Sequence, residues 1–238
     1  MGNTFFKFKD FTIHQDRCAM KVCTDASMFG VWARKFVLEP STLLDIGAGT
    51  GLLSLLIASA KEVKIDAIEL DTEAALQATE NIVASDFRDR IDVISTDIKN
   101  FHSSKRYDLI FSNPPFFEND LHSPDLNSNL AKHSTALSLD ELFISADRLM
   151  HPKGAFAILL PFHRKDELLQ LAEKRGFYPH AILDVKQTPN HSYFRTMVYF
   201  KKERASIVEH EMLSIQEGAT YSAAFKTLMK DVYFKSLD

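Results

Sequence analysis

The sequence has few cysteines and no long apolar segment, and both deficits exclude whole classes of protein. Two cysteines, Cys18 and Cys23, among 238 residues are too few for a disulfide framework and fit a reducing compartment. No stretch reaches the roughly 20 apolar residues of a membrane-spanning helix. Lys7, Lys9 and Asp10 interrupt the place where a signal peptide has its apolar core. We therefore expect a cytoplasmic protein without membrane contact.

A metal-ligand pattern and a strong net charge are also missing. The cysteines lack zinc-ligand spacing and no His/Asp cluster is apparent, so we expect no metal. The net charge is only −4, but it is unevenly distributed. Residues 1–37 hold six Lys/Arg and three Asp/Glu, residues 38–147 eight and nineteen, and residues 148–238 fourteen and ten. Basic ends that meet in space would attract a polyanion.

Apolar strands and amphipathic helices alternate from Ser41 to about residue 175. This alternation predicts a parallel sheet with helices on both faces. Two strands then follow without a helix between them, at about 178–186 and 194–201, and add one antiparallel strand. The sequence thus predicts an α/β fold with a doubly wound, mostly parallel sheet of seven strands. Ser138 opens a predicted capping box, and the polar residues 117–137 are typical of a long loop.

The first 37 residues do not follow this alternation. Residues 5–14 alternate around Lys9 and Asp10, which predicts a short hairpin, and the apolar spacing within 20–37 predicts a helix. We therefore divide the chain into an N-terminal extension, 1–37, that covers a ligand site, and a main domain, 38–238.

A glycine-rich turn joins the first strand of the alternation to its helix. Its sequence is Asp45-Ile-Gly47-Ala48-Gly49-Thr-Gly51. The third glycine comes one residue too early for a dinucleotide fingerprint, and no Lys-Ser/Thr pair indicates a P-loop. Asp45 would repel a pyrophosphate but suits a cationic ligand.

Two further carboxylates follow the next two strands. Glu69 ends the second strand, about twenty residues after the glycines, and Asp97 follows the third. Together with Asp45 they lie at the carboxyl edge of the predicted sheet, where open α/β sheets bind ligands. The position of Glu69 is typical of an acid that binds ribose hydroxyls.

The fourth strand ends in the stiff turn Asn113-Pro114-Pro115-Phe116. Asn113 Oδ1 and the free carbonyl of Pro114 can each accept one hydrogen of an exocyclic amino group, and Phe116 offers a face for stacking. The lone pair of such an amino nitrogen is delocalised, which makes the nitrogen a poor nucleophile. Two acceptors that hold its hydrogens would aim the lone pair at an electrophile. Such a reaction relies on positioning and needs no strong base.

The turn and the three acids resemble those of class I S-adenosylmethionine-dependent methyltransferases with a Rossmann-like fold. The resemblance implies that the glycines line the methionine part of the donor, that Glu69 binds its ribose and that Asp97 faces its adenine with Ile98 beside the ring. Asp45 would orient the turn. The implied donor site comprises Lys21, Thr24, Asp45, Gly47, Ala48, Gly49, Gly51, Glu69, Leu70, Asp97, Ile98 and Asn113.

The Asn-Pro-Pro-Phe turn resembles the signature of amino-methyltransferases, which act on adenine N6, guanine N2 or a glutamine amide. Residues 14–33 and 221–234 are similar to the family that methylates N6 of the adenine beside the anticodon of a valine tRNA. In that family Tyr is common at the position of Phe116, and Gly is usual at that of Cys23.

The resemblance implies S-adenosylmethionine as cofactor, Asn113, Pro114, Pro115 and Phe116 as the catalytic turn, and N6-methyladenosine at tRNA position 37 as product. It also implies a tRNA anticodon loop as partner, and we favour a monomer. Methylation of guanine N2 in rRNA or of a protein glutamine stays open as an alternative. A non-enzymatic binder would not require the intact turn. Candidates for tRNA backbone contacts are Lys186, Arg195, Lys201 and Lys202.

Overall fold

The chain begins with a small hairpin and a helix. The computed structural model describes residues 3–18, 20–115 and 137–233, so nearly all of the loop predicted at 117–137 lies outside the described residues. Strand β1 (Phe5–Lys7) pairs antiparallel with β2 (Thr12–His14), which confirms the predicted hairpin. The predicted helix is α1 (Thr24–Ala33), and nearly all of its residues are buried.

A single large sheet forms the centre of the molecule. Its strands are β3 (Ser41–Ile46), β4 (Val63–Glu69), β5 (Ile91–Ser95), β6 (Tyr107–Ser112), β7 (Met150–Pro161), β8 (Tyr178–Lys186), β9 (Tyr193–Lys201) and β10 (Glu209–Ser214). Their order across the sheet is β10-β8-β9-β7-β6-β3-β4-β5. Strand β9 runs antiparallel to both neighbours, and the other pairs are parallel, as predicted.

The sheet has eight strands and not the seven predicted. The additional strand is β10, which extends the sheet edge parallel to β8. Only Leu213 of this strand is buried, so its sequence lacks the apolar pattern that marks the inner strands. A two-residue pair follows, β11 (Gln216–Glu217) and β12 (Thr220–Tyr221).

Helices cover both faces of the sheet. They are α2 (Leu52–Ala58), α3 (Thr72–Val83), α4 (Leu139–Leu149), α5 (Lys165–Lys174) and α6 (Ala223–Met229). One face carries an apolar cluster with Trp32, Leu55 and Phe225, and the other a cluster with Phe143 and Leu168. The doubly wound arrangement is therefore confirmed, because each face has its own core.

Local signals fix where two of the helices begin. The Ser138 hydroxyl accepts a hydrogen bond from the Glu141 backbone N–H (3.2 Å), and the Glu141 carboxylate accepts one from the Ser138 N–H (2.9 Å). This is the predicted capping box. Helix α3 begins similarly, because the Asp71 carboxylate accepts the Ala74 N–H at 2.8 Å.

The two ends of the chain meet beside the sheet. Phe8 forms an isolated bridge with Tyr233, and the Lys9 N–H donates to the Val232 carbonyl at 3.0 Å. The C-terminal segment thus closes over the N-terminal hairpin, and the basic first and last parts of the sequence become neighbours.

Candidate functional site at the carboxyl edge of the sheet

The glycine turn between β3 and α2 is built on the end of the neighbouring strand β4. The backbone N–H groups of Gly47 and Ala48 both donate to the Ile68 carbonyl, at 2.9 and 3.0 Å. The Gly49 N–H donates to the Glu69 carboxylate at 2.8 Å. The turn therefore takes its shape from Ile68 and Glu69.

All three glycines of the turn have the left-handed backbone that other residues rarely adopt. Their φ values are 76° at Gly47, 56° at Gly49 and 79° at Gly51. A Cβ built at Gly47 or Gly49 would meet no atom of the described residues within 4 Å, whereas at Gly51 it would lie 3.4 Å from the Ile82 side chain. The space above Gly47 and Gly49 is open to a ligand, and Gly51 packs against α3.

Asp45 is a fully buried acid directly below this turn. Its Oδ2 accepts a hydrogen bond from the Ser54 hydroxyl at 2.7 Å, whereas its Oδ1 has no partner among the described residues. Burial raises the pKa of Asp45 from 3.8 to about 7, and repulsion from Glu69 adds to the rise. A cation at the turn would compensate both effects, so these residues fit a positively charged ligand.

The ends of β4 and β5 supply the next predicted residues. Glu69 is half-buried, and besides Gly49 its carboxylate accepts the Asp71 N–H at 2.9 Å. Leu70 beside it is exposed to 52%, an apolar surface open to a planar group.

Asp97 and Ile98 follow β5, and the structure gives them different surroundings. The Asp97 carboxylate accepts the Lys99 backbone N–H at 2.9 Å and lies 3.6 Å from its ammonium group. Ile98 is almost fully buried in the core. Its carbonyl accepts a hydrogen bond from the Arg148 guanidinium at 2.9 Å, which holds this loop against α4.

The Asn113 turn lies next to the glycine turn because β6 neighbours β3. The Ser112 hydroxyl donates to the Ile46 carbonyl at 2.7 Å, one residue before each turn. The Asn113 side chain is largely buried, and its Oδ1 has no hydrogen-bond partner among the described residues. Pro114 is buried and Pro115 is exposed. Phe116 lies outside the described residues.

The N-terminal segment is held against this region by two buried amides of α3. Asn81 Oδ1 accepts the His14 N–H at 2.8 Å, and its Nδ2 donates to the carbonyls of His14 and Thr50, each at 2.9 Å. Asn81 thereby connects the segment to the glycine turn. The segment that follows β2 is fastened one helical turn earlier, at Gln77.

Gln77 is fully buried and serves two consecutive residues of that segment. Its Oε1 accepts the Arg17 N–H at 2.9 Å, and its Nε2 donates to the Asp16 carboxylate at 2.8 Å. The sequence interpretation missed Gln77 and Asn81. Their only signal is two amide side chains spaced i, i+4 on the face that α3 buries.

The other predicted residues of the N-terminal extension lie at its surface. Lys21 and Thr24 are exposed, and Thr24 is the first residue of α1. Cys18 is half-buried, and burial raises its pKa to about 11, so its thiol is neutral at pH 7. Cys18 therefore offers no thiolate nucleophile to the site. Cys23 is exposed.

The four basic candidates for RNA contact divide between opposite edges of the sheet. Lys186 ends β8 and Arg195 lies near the start of β9, both at the carboxyl edge, and Arg195 forms a 2.6 Å ion pair with Asp25 of α1. Lys201 ends β9 at the amino edge, and Lys202 next to it pairs with Asp147 at 2.6 Å. The four residues therefore do not form one surface.

The described residues contain no helix long and apolar enough to cross a membrane. The same part of the chain holds no group of three or more His, Cys, Asp or Glu side chains arranged to bind a metal ion.

Known structures share this fold at low sequence identity. A predicted O-methyltransferase from Agrobacterium tumefaciens superposes with a TM-score of 0.65 at 16% identity, over 86% of this chain and 95% of its own. A putative RNA methyltransferase from Pyrococcus horikoshii superposes with a TM-score of 0.55 at 20% identity, over 74% and 81%. These similarities establish a class I methyltransferase fold.

Sequence comparisons are more specific. The family model of the methyltransferase small domain matches residues 33–165. A tRNA1(Val) (adenine(37)-N6)-methyltransferase from Dyadobacter fermentans is 40% identical over 238 residues, covering 98% of each chain. A relative of the same name from Trichodesmium erythraeum is 38% identical, covering 99% of this chain and 100% of its own. The chain therefore belongs to the methyltransferase small domain family and to the family of the tRNA1(Val) (adenine(37)-N6)-methyltransferases.

Proposed function

We propose that the protein transfers a methyl group from S-adenosylmethionine to the exocyclic N6 of an adenine in tRNA, at position 37 beside the anticodon of tRNA1(Val). The observation that carries this proposal is the buried Asn113 Oδ1, which lacks a hydrogen-bond partner among the described residues and lies one strand from the glycine turn. The names of the relatives supply the nucleic acid and the position.

The donor half of the site fits a cationic nucleoside. S-adenosylmethionine, when bound, supplies a methyl group on a sulfonium cation. Asp45 contributes a buried carboxylate with one oxygen unpaired, and the open backbone at Gly47 and Gly49 admits the donor closely. Glu69 would hold ribose hydroxyls, and the exposed side chain of Leu70 would cover part of the adenine.

Other residues are assigned to the same half by their positions. Asp97 and Ile98 follow the next strand end, Ala48 and Gly51 complete the turn, and Lys21 and Thr24 lie on the extension. We assign them to the donor site as well. Ile98 is buried, so its role would be to support the loop beside the adenine ring from the core.

The acceptor half positions the amino group. Asn113 Oδ1 and the Pro114 carbonyl would accept the two hydrogens on N6, which aims the nitrogen lone pair at the methyl group. Prolines at 114 and 115 contribute no competing N–H. Formation of the N–C bond would break the bond between the methyl carbon and the donor's sulfur, so that the donor leaves as a neutral thioether, and the proton on nitrogen would then pass to solvent. Positioning and electrostatics would supply most of the rate. Phe116 would stack on the flipped adenine.

The N-terminal extension, residues 1–37, would cover the donor site of the main domain, 38–238. The bonds from Asn81 and Gln77 support this, because they hold residues 14–17 against α3 and the glycine turn. Its closure would exclude water from the site. We expect the enzyme to act in the cytoplasm as a monomer.

An anticodon loop suits this site because its bases are unpaired. An enzyme that modifies a base must first take that base out of the stack, and the cost is small in a single-stranded loop. The target adenine can therefore enter the Asn113 turn without opening a duplex.

The test is transfer of labelled methyl from S-adenosylmethionine to unmodified valine tRNA, followed by digestion to nucleosides. We expect label in N6-methyladenosine for the wild type. Asn113→Ala should lower the rate by at least about 100-fold, since aligned hydrogen bonds to the reacting group are worth about 3 kcal/mol. Asn113→Asp retains an acceptor and should keep part of the activity.

An unchanged circular dichroism spectrum and thermal unfolding midpoint of both variants are the control for folding. The same assay is repeated with rRNA and protein. Label in guanine or in a protein glutamine, with none in tRNA, would mean that the acceptor is different but that the protein still methylates an amino group. Stabilisation by NADH and not by S-adenosylmethionine would overturn the proposal altogether.

A further inference from the structure

A pair of aromatic rings flanked by lysines lies on the same edge of the sheet, outside the site described above. Phe162 follows the last residue of β7, and Tyr193 begins β9. Their ring centroids are 5.0 Å apart with the planes tilted by 35°. The Lys165 ammonium lies 5.4 Å from the Phe162 centroid, and that of Lys186 lies 5.5 Å from the Tyr193 centroid.

Strand order places these rings beside the acceptor turn. Strand β7 neighbours β6, which ends at Asn113, and β9 is the next strand after β7. At about 4.8 Å between strands, Phe162 is displaced sideways by about 5 Å and Tyr193 by about 10 Å. We name Phe162, Tyr193 and Lys186 the edge platform.

The edge platform is accessible and carries a positive charge. All three of its residues are half-exposed, and the flanking His163 and His191 are exposed. The sequence contains no Asp or Glu from 186 to 202. Among the described residues Lys186 donates one hydrogen bond, to the Pro189 carbonyl at 2.8 Å, and an ammonium has three hydrogens to donate.

The second lysine is occupied differently. Lys165 forms a 2.6 Å ion pair with the buried Asp184, whose carboxylate also accepts a hydrogen bond from Thr196 at 2.7 Å. Burial alone would raise the pKa of Asp184, but its hydrogen bonds with Lys165, His210 and Thr196 outweigh burial and lower it. Lys165 is therefore neutralised locally, and the net charge of the edge platform comes from Lys186.

We propose that the edge platform binds unpaired nucleotides of the RNA next to the target adenine. A base would stack on the exposed part of the Phe162 and Tyr193 rings, and Lys186 would contact a phosphate. Aromatic rings beside a cation are the usual means of binding single strands, at about 1–3 kcal/mol per stacked base. The proposal rests on the proposed function for the kind of substrate, because the target base must be unstacked from its neighbours.

The test compares this edge with a matched pair at the opposite edge. Tyr178 is a half-exposed tyrosine at the amino edge, with the Arg204 guanidinium 4.2 Å from its ring. Lys64 is an exposed lysine at the same edge, on β4, and like Lys186 it donates a hydrogen bond to a backbone carbonyl, that of Asp89. The variants are Tyr193→Ala and Lys186→Ala, with Tyr178→Ala and Lys64→Ala as controls. The full-length protein is titrated with a labelled, unmodified anticodon stem–loop of valine tRNA.

Tyr193→Ala should weaken binding between about fivefold and about 100-fold, the equivalent of one lost base stack. Tyr193→Phe should restore binding, although it loses the 2.8 Å contact of the hydroxyl with Met212. Phe162→Tyr should be neutral and Phe162→Ala should weaken binding. The dissociation constant of S-adenosylmethionine should be unchanged in every variant. The two amino-edge control variants should also bind the stem–loop with unchanged affinity.

Salt dependence separates the two roles. Lys186→Ala should lower the slope of log K against log salt by about 0.7, the value for one phosphate contact on a single strand. Tyr193→Ala should leave this slope unchanged, because stacking releases no counterion. A merely structural defect would not divide the two variants in this way.

The outcomes distinguish this inference from the proposed function. If the wild type methylates tRNA and Tyr193→Ala binds the stem–loop as tightly as Tyr178→Ala does, the edge platform is overturned and the activity stands. If the wild type neither binds nor methylates tRNA, both are overturned. Weaker binding with normal methyl transfer at saturating RNA supports the edge platform.

Discussion

The two halves of the carboxyl edge differ in charge and in the kind of surface they present. The half formed by β3, β4 and β5 carries three acids, Asp45, Glu69 and Asp97, around a turn of exposed backbone. The half formed by β7, β9 and β8 carries aromatic rings and Lys186. Between them lies the neutral amide of Asn113.

This difference matches the charges of the two proposed substrates. A sulfonium nucleoside is a cation and is favoured by acids, whereas RNA is a polyanion and would be repelled by them. Separating the two signs onto opposite sides of β6 lets each ligand approach Asn113 along a surface of opposite charge. The neutral Asn113 at the boundary can accept hydrogens without adding charge to either half.

The largest effect is expected for Asp45→Asn, which removes the buried charge of the donor half. Burial raises the pKa of Asp45 from 3.8 to about 7, so its contribution to stability is present below pH 4 and is lost as the pH rises through about 7. At about 1.4 kcal/mol per pKa unit, the loss reaches about 4 kcal/mol. Asp45→Asn should therefore be more stable than the wild type at pH 8 by up to about 4 kcal/mol, and equally stable at pH 3.5.

Urea unfolding of the ligand-free protein at both pH values measures this difference. The exposed Asp92→Asn is the control and should show no such pH dependence. Asp45→Asn should also bind S-adenosylmethionine more weakly. If the unfolding free energies of the wild type and Asp45→Asn differ by the same amount from pH 3.5 to pH 8, ionisation of Asp45 does not destabilise the folded protein.

Glu69→Ala tests whether the two halves of the carboxyl edge bind their ligands independently. Glu69→Ala should weaken S-adenosylmethionine binding by about 10- to 100-fold, since hydrogen bonds to a charged group contribute about 1.5–3 kcal/mol. Affinity for the anticodon stem–loop should stay unchanged. Calorimetry with each ligand measures both, and Glu73→Ala, an exposed acid in the first turn of α3, is the control.

A loss of RNA affinity in Glu69→Ala would show that the acids of the donor half also organise the acceptor half. The two halves of the carboxyl edge would then form one continuous site and not two.

The smallest effect concerns the border between the donor half and the N-terminal extension. Asn81→Ala leaves backbone groups of His14 and Thr50 without partners and should cost about 1–3 kcal/mol of stability. Amide hydrogen exchange at His14 should accelerate, and KM for S-adenosylmethionine should rise while kcat is retained. Glu80→Ala, which breaks only an exposed ion pair with Arg17, should change neither. Unchanged exchange at His14 would mean that the extension is held elsewhere.

Much of the donor half could be predicted because its signals are local. A strand, a glycine turn and a helix follow each other within about twenty residues, and the capping box at Ser138 spans four. The parallel direction of the inner strands could also be anticipated, because a helix between two strands is typical of a parallel connection. Strand β10 was missed because an edge strand buries little and needs no apolar pattern.

Contacts between distant residues gave no such signal. Asn81 is 67 residues from His14, and the residues around either position do not indicate that the two are in contact. The division of the four basic residues was different, since the predicted strand pair already implied it. Lys186 and Lys201 are the last residues of β8 and β9. Because these two strands are antiparallel, their last residues lie at opposite edges of the sheet.

The hydrogen bond from the Ser112 hydroxyl to the Ile46 carbonyl joins two residues that each precede a functional turn. The reach from donor to acceptor is therefore set by the register of two adjacent core strands, Ile46 opposite Ser112. Insertions and deletions confined to the surface loops would leave that register intact. Evolution can consequently vary what this scaffold recognises, loop by loop, while the transfer distance is inherited unchanged.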